Sequence, residues 1–389
     1  MMELRVGPPS SARFLGTPSE RHQVMLERAE RAIAEPLVGV VTSSGPVEGL
    51  FPLGKGGAPT SAVRARIESY ASLLDEDARR EVQFPLESDA WRRWSNIHRF
   101  LMRHGRCLDE MGDPERDRAL ELLAAALSPA GFAEARGVMR LNETIQEITG
   151  RRDERGYSEF GEWNYWLCLF GSPSADGPYG FQLDGHHLNL NVFVLGDQLV
   201  LTPYLLGSEP LVAEAGRYAG TRVLEAEERL ALDLVQSLDP AQARRAVVAE
   251  ELPPGLYAGA FCDNLVLDYS GIAHGELDPV QQSALLALIG CYVGRLPDGH
   301  AAAKMAEVRA HLDETYFTWM GATEDESVFY YRVHSPVLLV EFDHEPGVVF
   351  KSDGPMKSHI HTVMRTPNGN DYGTDLLRQH RSAHEHAGA

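Results

Sequence analysis

Strict alternation of polar and apolar residues, running from His187 to Val192, is the strongest constraint that the sequence places on its fold. Successive side chains of a β-strand point to opposite faces, so this pattern predicts a strand with one apolar face in a core and one polar face that carries His187. The dipeptide Gly196-Asp197 then separates residues 181–194 from a second strand-like run over residues 198–204. Two such runs around a short glycine-containing turn predict a β-hairpin.

A second hairpin is predicted over Val328–Asp343, with its turn at His334-Ser-Pro336. Its second arm separates an apolar face from a face that carries acids, because the side chains alternate along the strand. The first face holds Leu338, Val340, Phe342 and His344, and the second holds Leu339, Glu341 and Asp343.

Helical patterns flank these strands. One helix is predicted near Glu20–Ile33, and the pattern from about Thr60 to Thr149 is helical. Asp239 and Asp278 each precede a proline and are followed three residues later by glutamine, which predicts an N-terminal capping box at both positions. The second box leads into Ala284–Val293, which is apolar nearly all round and is therefore predicted to be a buried helix.

Together these elements predict an α+β fold in which helices pack around a central antiparallel or mixed β-sheet, with a helical N-terminal part. We expect an irregular N-terminal segment with one helix over residues 1–60. A single large α+β catalytic domain is expected over residues 60–380, followed by a flexible tail over residues 381–389.

The composition excludes several kinds of partner. The formal net charge is −20, which argues against binding to a phosphate backbone. No aliphatic run approaches the ~20 residues of a membrane span, and the N-terminus lacks the apolar core of a secretory signal. The four cysteines are scattered without a CxxC motif, as expected of buried thiols in a reducing compartment. We predict a cytoplasmic protein with a small-molecule substrate and no nucleic-acid or membrane partner, and we leave open a homo-oligomer.

Two histidine clusters predict a metal site. His359 and His361 share one face of a strand-like run, about 6.5–7 Å apart at their Cα atoms. They form the second cluster in chain order, and His186 and His187 form the first. Strand-borne imidazoles suit Fe, Zn, Cu or Mn. We predict His359, His361 and one of His186 or His187 as ligands, the other serving as a supporting group or general base. His187 is favoured because it shares a face with two asparagines, but His186 stays open.

Two further features could complete a catalytic site. Glu341 and Asp343 project the same way, so two histidines and one carboxylate could form a facial set that suits Fe(II). The alternative is a strand end with solvated acids. Arg365 follows the histidines directly and could bind a substrate carboxylate through two hydrogen bonds. The alternative is an ion pair with Asp371 or Asp375.

No GxSxG elbow occurs, and no GxGxxG opens a helix after a strand. The sequence therefore favours a metal-dependent oxidoreductase that uses O₂ on a small polar molecule, with Fe(II) as the preferred divalent cofactor. A zinc-type hydrolase of amides or esters uses the same ligand types and is the main alternative. A non-enzymatic metal- or ligand-binding protein is the second alternative.

Several longer strings resemble one uncharacterised family, domain of unknown function 3500, over roughly residues 60–380. The resemblance marks the Gly-His-His and His-Ile-His runs as family signature motifs and implies no particular activity. The strings are Phe181–Asn191, Leu195–Gln198, Tyr316–Gly321, Ser335–Asp343, His359–Val363 and Asn368–Gly373.

Overall fold

The computed structural model describes residues 20–54, 58–96, 104–152, 156 and 158–387, with side chains described between residues 23 and 383. The helices within these residues are α1 (Glu20–Ala34), α2 (Ser61–Ala71), α3 (Glu76–Val82), α4 (Asp113–Ala126), α5 (Pro129–Thr149), α6 (Glu225–Gln236), α7 (Pro240–Ala246), α8 (Pro279–Val293), α9 (Asp298–Ala310) and α10 (Thr374–Ala387). The strands are β1 (Val40–Val41), β2 (Gln83–Phe84), β3 (Arg106–Cys107), β4 (Tyr165–Gly171), β5 (Pro178–Gly185), β6 (Leu188–Leu195), β7 (Gln198–Ser208), β8 (Val247–Ala249), β9 (Leu265–Val266), β10 (Ile272–Ala273), β11 (Tyr316–Gly321), β12 (Phe329–His334), β13 (Leu339–Pro346) and β14 (Pro355–Arg365). Helices beside one large mixed sheet confirm the α+β class.

Two antiparallel meanders form the centre of the sheet. Strands β4 to β7 make the first and β11 to β14 the second, and they join edge to edge where β7 pairs with β14. The short strands β2 and β3 pair with β4, and β8 and β10 pair with β11, whereas β1 and β9 form a separate parallel pair. In the central register, His361 on β14 lies opposite Gly207 on one side and Asp343 on the other. The strand that carries both predicted ligands of the second cluster therefore lies in the middle of the sheet.

One face of this sheet, here named the helix-covered face, forms a continuous apolar core with the helices. Leu190 and Leu206 from the first meander and Val340 and Met364 from the second belong to one buried cluster with side chains of α2, α4, α5, α6 and α8. Complete burial of such a side chain stabilises the fold by about 1.5–3 kcal/mol. This face holds the two meanders together.

The opposite face, here named the loop-covered face, mixes apolar and polar side chains. Trp94, Phe170 and Val363 pack there in a second, smaller cluster. Gln182 and Asn191 are fully buried beside them and are joined by a hydrogen bond of 2.6 Å. Polar groups on this face are enclosed and must find partners inside the protein, because burial without a hydrogen bond is costly.

The structure confirms most local predictions. Leu195 pairs with Gln198 across the predicted Gly196-Asp197 turn, and His334 pairs with Leu339 in the second hairpin. The helix near Glu20 and both capping boxes, at Asp239 and Asp278, are present. These signals depend on neighbouring residues alone, which is why the sequence reveals them.

Four expectations are corrected. Residues 181–194 are not one strand but two, β5 and β6, because His186-His187 forms a tight turn between them. Helix α8 is not buried all round, since Ala287 is exposed. The helical pattern predicted over residues 60–149 is interrupted by the short strands β2 and β3. Cys262 is exposed and Cys291 is half-buried, so the four cysteines are not all buried. Helix α10 ends at Ala387, residues 388–389 lie outside the described residues, and the flexibility of the tail stays a prediction.

The described part of the chain has no helix whose length and apolar character would allow it to cross a bilayer.

Candidate metal centre

The His186-His187 turn holds one of the predicted ligands in an unusual backbone conformation. His187 has a φ of 63°, in the left-handed region, where a side-chain-bearing residue costs roughly 1–2 kcal/mol. Its carbonyl accepts a hydrogen bond of 2.8 Å from Gly207 N on β7, and its N–H donates to Asn96 O at 3.4 Å. Histidine is one of the residue types that tolerate this region best. The two backbone bonds hold the turn against the seam between the meanders.

At that seam three imidazoles converge. The Nε2 atom of His359 lies 3.3 Å from Nε2 of His187 and 3.2 Å from Nε2 of His361. One ligand atom of each ring lies within 4.8 Å of the others, an arrangement that could hold a metal ion. The structure thus brings together both histidines of the His-Ile-His run and one histidine of the Gly-His-His run. Metal binding itself stays a prediction.

Hydrogen bonding fixes the form of the His359 ring. Its Nδ1 lies 2.8 Å from the carbonyl oxygen of Pro346, so Nδ1 carries the proton and Nε2 keeps its lone pair. Burial, with a contribution from His361, lowers the pKa of His359 to about 3. The ring is therefore neutral at physiological pH, which is the form that binds metal. A carboxylate oxygen of Glu209, 3.7 Å from the same Nδ1, lies behind the ring.

His361 has a carboxylate on its far side. Its Nδ1 is 3.4 Å from Oε1 of Glu345, an approach that orients the ring with Nε2 towards His359. Burial acts to raise the pKa of Glu345, but the interactions with His361, Asp343 and His359 together lower it. Sequence reasoning did not single out Glu345. The sequence does contain a signal for it, because Glu345 is the third acid in alternate positions after Glu341 and Asp343.

His186, the other candidate from the first cluster, lies outside the convergent group. Its Nδ1 is 2.9 Å from Oδ1 of Asn142, whose amide nitrogen donates to the Gly161 carbonyl at 2.8 Å. The His186 ring stacks on His187 with centroids 3.8 Å apart. The geometry therefore selects His187 as the candidate ligand and gives His186 a supporting position.

Gly207 leaves room for two of the rings. A Cβ atom at this position would lie 2.6 Å from Cδ2 of His361 and 3.3 Å from Cδ2 of His187. The first distance is far inside van der Waals contact, so any side chain here would push the His361 ring away from the other two. Absence of a side chain at Gly207 is thus part of the site.

A second convergent group shares His361 with the first. Asp343, Glu345 and His361 each offer a ligand atom within 4.8 Å of the others. Asp343 is 1% exposed, and burial, together with the neighbouring Glu345, raises its pKa well above the usual range. The predicted carboxylate face of β13 therefore does meet the His-Ile-His strand, at Asp343.

Glu341, predicted as a metal ligand or base, has a different environment. One carboxylate oxygen accepts hydrogen bonds from Tyr257 N at 3.0 Å and from the Tyr330 hydroxyl at 2.6 Å. The other accepts from Ala258 N at 2.7 Å. Its pairing partner on β14 is Val363, two pairs beyond His361, and Glu341 belongs to neither convergent group. The expected facial set with Glu341 is not formed.

Arg365, predicted to bind substrate, has no exposed surface. Its guanidinium donates to Asp263 at 2.7 Å and Asp371 at 3.2 Å, and to the carbonyls of Ala258 and Gly259, both at 2.8 Å. The alternative interpretation, an ion pair with Asp371, is the one that the structure shows. Buried bonds to protein groups make Arg365 inaccessible to a substrate.

Comparison with known sequences places the chain in a family. The sequence model of the family described as Protein of unknown function (DUF3500) matches residues 56–374. The chain belongs to the DUF3500 family. No curated protein and no solved structure matches it.

The matched region of this DUF3500 protein contains both convergent groups. Three imidazole nitrogens and two carboxylates lie along one seam. The side chains of His187 and His359 are almost completely buried. Such a set could hold a divalent cation, and it could also hold or move a proton at Asp343, whose raised pKa favours the protonated acid.

Proposed function

We propose that this DUF3500 protein is a metalloenzyme in which His187, His359 and His361 bind one catalytic divalent metal ion. The observation that carries the proposal is the convergence of three Nε2 atoms from two meanders, with 3.2 and 3.3 Å separations about His359. Rings this close would repel one another if protonated, and at least His359 is held neutral by burial. Three imidazoles that face one point are a usual protein contribution to a catalytic metal with open positions.

The reaction we propose first is oxidation of a small polar molecule by O₂ with bound Fe(II). Nitrogen ligands suit redox-active iron or copper, and a metal with open positions supplies a place for both O₂ and substrate. His187 and His359 are 4% and 1% exposed, so the protein keeps bulk water from two sides of the site and limits side reactions. Polar groups of Asp343 and Glu345 beside the rings favour a polar substrate.

A zinc-type hydrolase of an amide or ester is the second candidate, and one observation favours it. A carboxylate pair lies next to the histidine group through His361. Zn²⁺ held by three histidines lowers the pKa of a bound water, and a nearby carboxylate can take up the proton as a general base. In this reaction Glu345, whose pKa is lowered, is the candidate base.

Metal analysis tests the shared part of both candidates. Tag-free full-length protein, reconstituted with Fe²⁺ under inert gas or with Zn²⁺, is expected to retain metal after gel filtration. His187→Ala and His359→Ala should lower the affinity by more than the ~10–100-fold typical of losing a group that only orients a ligand. His311→Ala is the matched control, since His311 lies at the end of α9 and pairs with Glu314 at 2.9 Å. Equal metal content in all four proteins would refute the proposed centre.

Open coordination and metal type separate the two reactions. Nitric oxide binds ferrous iron at a vacant position, so an electron paramagnetic resonance signal from the Fe²⁺ protein with nitric oxide, absent in His359→Ala, supports O₂ chemistry. Zn²⁺-dependent cleavage of p-nitrophenyl acetate, lost in the same variant, supports the hydrolase. Tight metal binding with neither response would identify a metal-binding protein without catalysis and would overturn the enzyme proposal.

A further inference from the structure

The carboxylates beside the histidine group are arranged as a cation site of their own. Asp343 and Glu345 project from alternate positions of β13, and Asp343 lies directly opposite His361 on β14. Ligand atoms of these three residues lie within 4.8 Å of one another. His187 and His359 belong to a separate group of the same kind, and the two groups share His361. The seam therefore carries two adjacent clusters of possible ligands.

Asp343 supplies an independent sign of a missing partner. Its side chain is 1% exposed, and neither carboxylate oxygen has a hydrogen-bond partner of normal geometry among the described residues. Burial of a carboxylate without a partner is among the costliest arrangements in a protein, and the usual solutions are a counter-charge, a metal ion or a proton. Glu341, two residues earlier on the same face, has three hydrogen-bond donors around it. The protein thus satisfies one acid of this face and leaves the next without a hydrogen bond of normal geometry among the described residues.

His361 is oriented to serve both clusters. Its Nε2 lies 3.2 Å from Nε2 of His359, and its Nδ1 lies 3.4 Å from Oε1 of Glu345. An imidazole whose remaining N–H proton is released to solvent when a second cation binds presents one lone pair on each nitrogen, so one ring can join two ions. No other described histidine belongs to two convergent groups.

The backbone at Gly255 lies close to the two carboxylates. A Cβ atom on Gly255 would lie 3.0 Å from Oε1 of Glu345 and 4.0 Å from Oδ2 of Asp343. Gly255 has a φ of +151°, a conformation that favours glycine, and it places no side chain between its backbone and the acids. Gly255 therefore covers one side of Asp343 and Glu345, where the side chain of another residue would fill the space.

We propose that Asp343, Glu345 and His361 bind a second divalent cation, so that the seam holds a two-metal centre joined by the His361 ring. The inference rests on the proposed function, because His361 is also a ligand of the first metal. Two carboxylates and one nitrogen favour a cation that prefers oxygen ligands, such as Mn²⁺ or Fe²⁺, more strongly than the three-histidine position does. The second cation would balance the negative charge of the two buried carboxylates.

Titration of the metal-free, full-length, tag-free protein with Co²⁺ tests the proposal, because Co²⁺ absorbance reports the ligands and dialysis reports the number bound. The wild type is expected to bind two equivalents. Asp343→Asn and Glu345→Gln, which keep side-chain shape but remove charge, should each weaken the second equivalent at least ~10–100-fold while the first keeps its spectrum. His187→Ala should affect the first equivalent instead.

Asp353→Asn is the matched control, since Asp353 is an exposed acid in the connection between β13 and β14. One equivalent in the wild type, unchanged in Asp343→Asn and Glu345→Gln but lost in His187→Ala, would overturn the second site and leave the proposed function intact. No bound Co²⁺ at all would overturn both proposals. Circular dichroism identifies a variant that does not fold, and if Asp343→Asn fails, the more exposed Glu345→Gln decides.

Discussion

The helix-covered and loop-covered faces of the sheet are both buried, yet they are held by different forces. The first consists of apolar side chains such as Leu190 and Leu206, which need only to be packed. The second encloses charged groups such as Glu341, Arg365 and Asp343, each of which needs a partner. Glu341 and Arg365 have theirs in the protein, while Asp343 does not. On the loop-covered face, the hydrogen-bonded Glu341 and Arg365 are structural, and the unsatisfied carboxylate of Asp343 marks the candidate site.

The largest expected effect comes from removing a satisfied charge. Arg365→Ala leaves Asp263 and Asp371 buried without their cation, so we expect a loss of about 3–5 kcal/mol in the free energy of unfolding. Arg80→Ala breaks an ion pair whose arginine is 63% exposed, and about 0–1 kcal/mol is expected there. Urea unfolding of both variants measures the difference. A loss for Arg365→Ala as small as that of the control would mean that this network does not stabilise the loop-covered face.

Truncation on the other face tests whether the two faces have separate roles. Leu190→Ala creates a cavity in the apolar cluster and should cost about 2–5 kcal/mol in the free energy of unfolding. The metal affinity of the folded variant should match that of the wild type, because Leu190 points away from the histidines. Thermal unfolding and metal titration of one sample give both values. A parallel loss of affinity would show that packing on the helix-covered face controls the site.

Gly207→Ala probes the seam itself without removing any ligand. The new Cβ would lie 2.6 Å from the His361 ring, so the ring must move and the metal affinity should fall ~10–100-fold. Gly290→Ala is the control, since a Cβ there meets nothing within 4 Å and alanine stabilises a helix by up to ~1 kcal/mol relative to glycine. Isothermal titration with Zn²⁺ compares the two variants. Unchanged affinity in Gly207→Ala would place the metal elsewhere.

The smallest predicted effect concerns a histidine of the loop-covered face away from the seam. Burial lowers the pKa of His334 to about 3, and its Nδ1 has no hydrogen-bond partner among the described residues. A histidine kept neutral in the fold contributes stability that is fully present above its unfolded pKa and is lost as the pH falls from about 6.5 towards 3. At about pH 5.5 the loss amounts to about 1.4 kcal/mol.

His334→Phe removes this titration and keeps an aromatic ring against Tyr269, whose centroid is 4.6 Å away. Between about pH 7.5 and pH 5.5, the variant should therefore lose about 1.4 kcal/mol less stability than the wild type. Urea unfolding at both pH values measures this. Equal losses in the two proteins would mean that His334 is already solvated in the folded state.

Local patterns predicted the elements of the fold but not their neighbours. The Gly196-Asp197 hairpin and the capping boxes at Asp239 and Asp278 each depend on a few adjacent residues. The pairing of β7 with β14 joins residues more than 150 positions apart in sequence, and no local signal encodes it. The pattern also missed the turn at His186-His187, because histidine is not a usual turn residue and a left-handed φ cannot be read from polarity.

The candidate site was predicted only in part, because strand periodicity is a local pattern and strand register is not. The convergence of His359 and His361 follows from strand periodicity, and the choice of His187 agreed with its polar face. Glu341 and Glu345 could not be ranked by periodicity, since both share the face of Asp343. The register of β13 against β14 decides between them, and it places His361 opposite Asp343 and Val363 opposite Glu341.

The position of β14 bears on how this chain is made. It is the last described strand in sequence, yet it lies between β13 and β7 in the middle of the sheet. During synthesis the first meander emerges from the ribosome well before β14, so the edge of β7 is exposed to other chains until the second meander arrives. Histidines 172 positions apart can share an ion only after that closure. Binding of the proposed metal would then be a late step in folding. Protein made without the metal would lack this link between the two meanders.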